Sequence, residues 1–175
     1  MQVSRSLLSH RTMRETVHIR RYIPGEEAAL FEIYYSAIHL VAGHDYSAEQ
    51  IQAWAPRDLD PGLWQGKIRD INPFVAELKG ELIGYADVQS SGYIDHFFVS
   101  GRHPHRGIGS LLMTRILAEA VSIAATVLTS HASRTAQPFF ERFGFVVVEQ
   151  RNPLCRGGVV PNALMRLERN GGALE

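Results

Sequence analysis

The run from Phe97 to Leu112 (Phe-Phe-Val-Ser-Gly-Arg-His-Pro-His-Arg-Gly-Ile-Gly-Ser-Leu-Leu) limits the fold more than any other stretch. An apolar strand-like segment enters a short basic loop carrying Gly107 and Gly109, and the loop leads into a helix with apolar residues at helical spacing. The first turn of such a helix has backbone N–H groups without intrahelical partners, and a glycine-containing loop adds further N–H groups beside them. This junction suits a phosphorylated ligand. It also requires a strand that feeds directly into a helix, which points to an α/β architecture.

The elements on either side extend that frame. Residues 16–22 alternate as a strand, and Pro24-Gly25 turns the chain into a helix over 26–41 with Ala29, Leu30, Ile33, Tyr34, Ala37, Ile38 and Val41 on one face. Ser47 and Gln50 have capping-box spacing for a short helix through Trp54, and Asp60-Pro61 opens another through Ile68. These two aromatic-rich helices are candidates to wall a substrate pocket. Residues 74–78 and 82–89 read as a hairpin turned at Lys79-Gly80-Glu81, and 93–99 adds a third strand. After the helix over 107–123 come a buried strand at 125–129, a short helix at 135–143, and a closing strand pair at 145–150 and 159–167. The expected fold class is a mixed α/β sheet, antiparallel in its first part, with a crossover helix after Val99.

The chain has 175 residues, enough for one domain with a substantial core and too few for two ordinary ones. The expected boundaries are an N-terminal extension over 1–15, one domain over 16–168 and a tail over 169–175. Residues 1–15 contain Leu7-Leu8 but no long apolar core or small-residue cleavage site, so a secretory leader is not expected. Lys plus Arg number 18 and Asp plus Glu number 18, which argues against nucleic acid or an anionic membrane as partner. No apolar run approaches membrane-spanning length. The single cysteine, Cys155, cannot form an internal disulfide, in keeping with a reducing cytoplasm.

Arg106-Gly107-Ile108-Gly109, the strand after the crossover helix, and the block Ala136-Gln137-Pro138-Phe139-Phe140-Glu141-Arg142-Phe143-Gly144-Phe145 together resemble the acyl-CoA-binding half of the GNAT superfamily of N-acetyltransferases. The resemblance covers 16–167. Asp45 to Gln50, Trp54-Ala55-Pro56 and the Pro-Phe-Phe-Glu-Arg-Phe-Gly-Phe block are similar to a bacterial group of acetyltransferases with poorly defined substrates. The resemblance implies a GNAT-like, mostly antiparallel central sheet with helices on both faces and a splayed strand pair for CoA. It implies acetyl-CoA as co-substrate, with pyrophosphate held at His105, Arg106, Gly107, Ile108, Gly109 and Ser110. The thioester would lie near the N–H groups of Phe97, Phe98 and Val99, an oxyanion-hole candidate, with Ser133, Phe139 and Phe140 along the pantetheine. One position departs from the family pattern: Pro104 stands where a Gln or Arg is usual, and it offers neither an N–H nor a side-chain donor.

Acetyl transfer requires a neutral amine, a stabilised oxyanion and a departing thiolate. Strict alternation puts Tyr93, Asp95, Phe97 and Val99 on one strand face and Ile94, His96 and Phe98 on the other. The resemblance makes Asp95 the first candidate base, directly or through water, with Tyr93 the second. His96 has a suitable unperturbed pKa but falls on the wrong face unless the strand bulges. A tyrosine that many members use to protonate the thiolate is replaced by Phe140; Ser133, seven residues earlier where the family often has asparagine, is a candidate to hold the pantetheine or the sulfur end, and Tyr46 and Tyr85 are substitute donors without a position. His44, Tyr46, Trp54 and Asp95 are candidate acceptor contacts, although Trp54 and Trp64 also suit packing. His103 and His105 lack a third ligand at useful spacing, so no metal is expected. Cys155 has no identifiable base, which favours direct transfer without a covalent enzyme intermediate.

The expected acceptor is a small-molecule or peptide amine, and a homodimer is admitted because dimers are common in the family. A non-catalytic acyl-CoA-binding module of the same fold is the alternative. A nucleotide-binding Rossmann domain is disfavoured because no G-x-G-x-x-G follows the first strand.

Overall fold

A computed structural model describes residues 16–170; the expected extension over 1–15 and most of the expected tail lie outside the described residues. Among the described residues, ten strands and five α-helices follow one another: β1 His18–Arg21, α1 Glu27–Val41, α2 Ala48–Trp54, α3 Pro61–Ile71, β2 Phe74–Leu78, β3 Glu81–Ala86, β4 Tyr93–Ile94, β5 Phe97–Val99, α4 Ile108–Ser122, β6 Val127–Ser133, α5 Gln137–Arg142, β7 Val146–Arg151, β8 Leu154–Cys155, β9 Gly158–Val159 and β10 Asn162–Glu168. A single 3₁₀ turn, Ala42–His44, joins α1 to α2.

The strands form two four-stranded halves, β1-β2-β3-β5 and β4-β6-β10-β7, and a small hairpin of β8 and β9. All pairings are antiparallel except β4 with β6. Helices cover both faces. One core joins α4 and α5 to the sheet through Phe74, Ile94, Leu112, Met113, Phe140 and Phe145. The other joins α1, α2 and α3 through Leu30, Tyr34, Ile38, Ile51, Trp64, Ile68 and Tyr85. β2 sends Phe74, Ala76 and Leu78 to the first core and Val75 to the second, so a near-continuous apolar run is buried on both faces. The mixed α/β class, the mostly antiparallel sheet and the splayed pair agree with the expectation.

Local chemistry explains the helix boundaries. Ser47 Oγ accepts from Gln50 N at 3.2 Å and Gln50 Oε1 accepts from Ser47 N at 2.9 Å, completing the capping box of α2. Asp60 caps α3 by accepting from Leu63 N at 2.8 Å, and Asn72 ends that helix in the left-handed region before Pro73.

Three expectations require correction. The strand over 93–99 is not continuous. It breaks at Asp95-His96, where Asp87 Oδ1 accepts from both Asp95 N (3.1 Å) and His96 N (2.6 Å), and Asp87 N donates to His96 O (3.1 Å). Two residues opposite one make a bulge, and a bulge reverses side-chain parity. Ile94, Phe97 and Val99 therefore pack into the α4–α5 core, and Tyr93, Asp95, His96 and Phe98 share the opposite side. The strand expected at 125–129 is β6, Val127–Ser133; its register with β10 runs to Ser133 opposite Asn162 and buries Leu128, Ser130 and Ala132. The final strand is interrupted at Val160-Pro161, because proline cannot donate to a ladder.

Candidate active site

The bulge marks the seam between the half-sheets. Before it, β4 pairs with β6; after it, β5 pairs with β3 instead. β5 is the last strand of its half-sheet, so its far edge has backbone groups outside any ladder. Three cavities run along this seam.

The first surrounds the loop between β5 and α4. It measures about 320 Å³ and is lined by Val99, Ser100, residues 103–110, Phe139 and Arg142. Gly107 caps α4 with φ 71°, a left-handed conformation that glycine adopts without strain. A Cβ at Gly109 would lie 3.1 Å from the Phe139 ring, so the helix start can approach α5 only without a side chain. The loop is moored by Gly101, whose N–H donates to Ser36 Oγ at 3.2 Å and where any Cβ would collide with the Ser36 carbonyl oxygen.

The second cavity, about 260 Å³, is an apolar trough between α1 and α5, lined by Ala37, Ile38, Val41, Trp54, Phe97 to Val99, Gly109, Ser133, Phe139 and Phe140. Phe140 is 2% exposed and lies edge-on to Phe97 (5.6 Å, 68°) and Phe145 (5.0 Å, 84°), so its ring serves the core. Ser133 Oγ accepts from Ala136 N at 3.1 Å, which helps turn the chain into α5.

The third is a chamber of about 330 Å³ that meets the trough at Trp54, Phe98 and Ser133. Tyr34, Tyr46, Trp54, His96 and Phe98 form an aromatic wall; Tyr93, Asp95, His131, Ser133, Cys155 and Asn162 supply polar groups. Asn162 Oδ1 is buried there without a hydrogen-bond partner in the protein. Asp95 is ion-paired with Lys67 from α3. His96 stacks on Tyr34 (6.0 Å, 12°), and its Nδ1 lies 3.0 Å from the Tyr85 hydroxyl. Burial pushes His96 down to about 4, so this imidazole is neutral at physiological pH. Burial also pushes Asp87 up to about 6, against the backbone N–H of His96, and pushes Tyr93 up to about 12, with Asp95 and Asp87 adding to the shift.

The structure thus gathers Asp95, Tyr93, Ser133, Tyr46 and Trp54 around one chamber, Phe97, Phe98, Val99, Phe139 and Phe140 along the trough, and His105, Arg106, Gly107, Ile108, Gly109 and Ser110 around the loop. It does not bring His44 to any of the three: His44 is exposed on the 3₁₀ turn. Trp64 is core, donating from Nε1 to Glu27 O at 2.6 Å. Tyr46 is occupied, donating to Pro161 O at 2.6 Å and accepting from Arg134 N at 2.8 Å. Sequence reasoning passed over Lys67, His131, Asn162 and Gly101. Alternation back from Ser133 would have found His131; the other three are brought in by contacts far away in the chain.

Residues 43–163 match the family model of the acetyltransferase (GNAT) domain. The chain belongs to the GNAT family. It is 35% identical to the uncharacterized N-acetyltransferase YafP of Escherichia coli K12 over 150 residues, covering 86% of this chain and 95% of that protein. The crystal structure of a GCN5-related N-acetyltransferase from Rhodopseudomonas palustris superposes with a TM-score of 0.84 at 27% identity, over 87% of this chain and 96% of that one. The yncA protein of Salmonella typhimurium, solved with its cofactor acetyl-CoA, shares the fold with a TM-score of 0.65 at 20% identity, over 91% of this chain and 98% of that one. Membership of the GNAT family makes the protein an N-acetyltransferase by class. Among the described residues of this GNAT chain, no helix is long and apolar enough to cross a membrane.

Proposed function

We propose that this GNAT protein, through one domain spanning 16–168, moves an acetyl group from acetyl-CoA to a primary amine by direct attack in a ternary complex. The observation that carries the reading is the continuity of the three cavities, with the trough meeting the chamber at the seam where β4 and β5 part. The residues fit the co-substrate. N–H groups from His105 to Ser110 would hold the pyrophosphate, the apolar trough would take the pantetheine, and the N–H groups of Phe97 and Val99, on the free edge of β5, would face the thioester oxygen, while Phe98 pairs with Tyr85 of β3. Bound acetyl-CoA supplies an electrophilic carbonyl and a thiolate leaving group.

Asp95 is the base in this reading, directly or through one water. An alkylammonium with a pKa near 10 must lose a proton before it attacks, and Asp95 is a chamber-lining carboxylate ion-paired with Lys67. His96, neutral and bound to Tyr85, shapes the aromatic wall. The acceptor is a small-molecule or peptide amine. The balanced charge and lone cysteine favour the cytoplasm, with no nucleic acid or membrane partner, and the family leaves room for a homodimer.

The second reading, a binding module that holds acyl-CoA without turnover, is favoured by Phe140, which has no proton to give, and by Pro104 in the loop. CoA release from acetyl-CoA with a panel of amines, peptides and aminoglycosides separates the two. The transferase reading expects amine-dependent release with an acetylated product. Tight CoA binding with none of the panel acetylated would leave the binding module in its place.

A further inference from the structure

Five chamber residues carry a hydrogen on oxygen or sulfur: Tyr34, Tyr46, Tyr93, Ser133 and Cys155. Three already give it to the backbone: Tyr34 to Trp54 O at 2.7 Å, Tyr46 to Pro161 O at 2.6 Å, and Cys155 to Ala53 O at 3.4 Å. Ser133 has an aliphatic hydroxyl, far less acidic than a phenol. Tyr93 differs from all of these. Its hydroxyl lies 3.4 Å from His131 Nδ1, with the two rings edge to face at 5.6 Å.

The other side of that imidazole determines where the hydrogens sit. Arg151 Nη1, reaching across β10 from β7, lies 2.9 Å from His131 Nε2. A guanidinium has no acceptor, so Nε2 must accept, and the neutral ring then carries its hydrogen on Nδ1. That hydrogen faces Tyr93 Oη. Tyr93 accepts it and is free to turn its own O–H into the chamber. Burial and the Arg151 charge push the His131 pKa down, while Asp95 and Glu149 oppose them, so the ring stays neutral at physiological pH. Tyr93 faces Asp95 and Asp87, which favour the protonated phenol, and Arg151, which opposes it; Lys67 is paired with Asp95.

We infer that Tyr93 is the proton donor to the departing thiolate, and that His131 and Arg151 are positioning residues that set the direction of its hydroxyl. The inference rests on the ternary-complex reading. The ammonium proton passes to Asp95 and on to solvent; the amine lone pair then forms the new C–N bond, and the second nitrogen proton passes to Asp95. The C–S bond then breaks with its electron pair going to sulfur, which takes the Tyr93 proton, and the phenolate is held by His131 Nδ1–H. Tyr93 recovers a proton from Asp95 through solvent. One proton has moved from nitrogen to sulfur, and the products are an amide and the CoA thiol. Phe140, sealed in the core, leaves this task to another side chain.

Two measurements on the full chain test the relay: the nitrogen NMR signals of His131, which report its tautomer, and kcat with acetyl-CoA and 2-phenylethylamine as the probe amine. Wild type and Arg151→Lys should show the Nδ1–H tautomer. Arg151→Glu offers an acceptor, so it should flip the ring to Nε2–H, draw the Tyr93 hydrogen onto Nδ1 and lower kcat about tenfold; Tyr93→Phe should lower it on the order of 100-fold. The acetyl-CoA dissociation constant should stay within about twofold in every variant, a split that a merely structural role would not give. An Nε2–H tautomer in wild type, or a Tyr93→Phe kcat within about twofold of wild type, overturns the proposal. If wild type acetylates no amine, the ternary-complex reading fails separately; the tautomer and the same variants, read on acetyl-CoA hydrolysis, which breaks the same C–S bond, still decide the relay.

Discussion

The two ends of the seam are built by different means. At the end proposed for CoA, the loop and trough rely on backbone and on absent side chains: a left-handed Gly107, Gly109 under Phe139, Gly101 against α1, and the open edge of β5. At the end proposed for the acceptor, α1, α2, α3, β4, β6, β10 and the β8–β9 hairpin each send side chains to one chamber or to a group that lines it. A backbone site depends on a short contiguous stretch and tolerates changes around it. A side-chain site depends on distant residues arriving together, so substitutions far apart in the chain can remake it while a backbone site stays the same.

Three substitutions should sharpen this contrast. The largest effect is expected at the backbone end. Gly107→Glu puts a side chain on a residue with positive φ and a carboxylate among the N–H groups proposed for the phosphates, and should weaken acetyl-CoA binding by about 100-fold or more, ~2.7 kcal/mol. Its surroundings are open, so the fold should persist. Calorimetry together with circular dichroism reads this, and unchanged affinity would remove the loop as the cofactor site.

At the side-chain end, Asp95→Asn should lower kcat on the order of 100-fold and leave acetyl-CoA affinity unaltered. Steady-state kinetics across pH 6 to 9 would expose the opposite outcome, a normal profile that excludes Asp95 as base.

The smallest effect belongs to the bulge that joins the two ends. Asp87→Asn keeps an oxygen for the N–H groups of Asp95 and His96, so kcat should fall no more than about threefold. The pH dependence of stability should change more clearly. Burial raises the folded pKa of Asp87 from an ordinary 3.8 to about 6, so its contribution is fully present below about pH 4 and is lost as pH rises through 6. Thermal unfolding should show wild type losing stability over that window and Asp87→Asn flatter; identical slopes would mean that the carboxylate is not desolvated as described.

The same contrast explains what could be read in advance. The loop, the crossover helix, the Phe139-Phe140 block and the Ser47–Gln50 capping box depend on neighbours within a few residues, and each appears in the structure where the sequence implied it. Strict alternation failed at Asp95-His96 because the partner that forces the bulge is Asp87, on another segment. His44 was misjudged because a helix junction does not say which way its side chains turn.

From the sequence alone, the mixed α/β element order and the glycine loop at the start of the crossover helix could be derived, because local periodicity, glycine conformational freedom and helix-terminal N–H groups are properties of contiguous residues; the GNAT family followed from the resemblance that those motifs carry. Only the tertiary structure decided which side of the sheet His96 faces, that Lys67 pairs with Asp95, that Asn162 Oδ1 is buried in the chamber without a protein partner, and that Arg151 reaches His131. These depend on register and parity between strands far apart in the chain, and a single bulge or one residue of register changes which side chains meet.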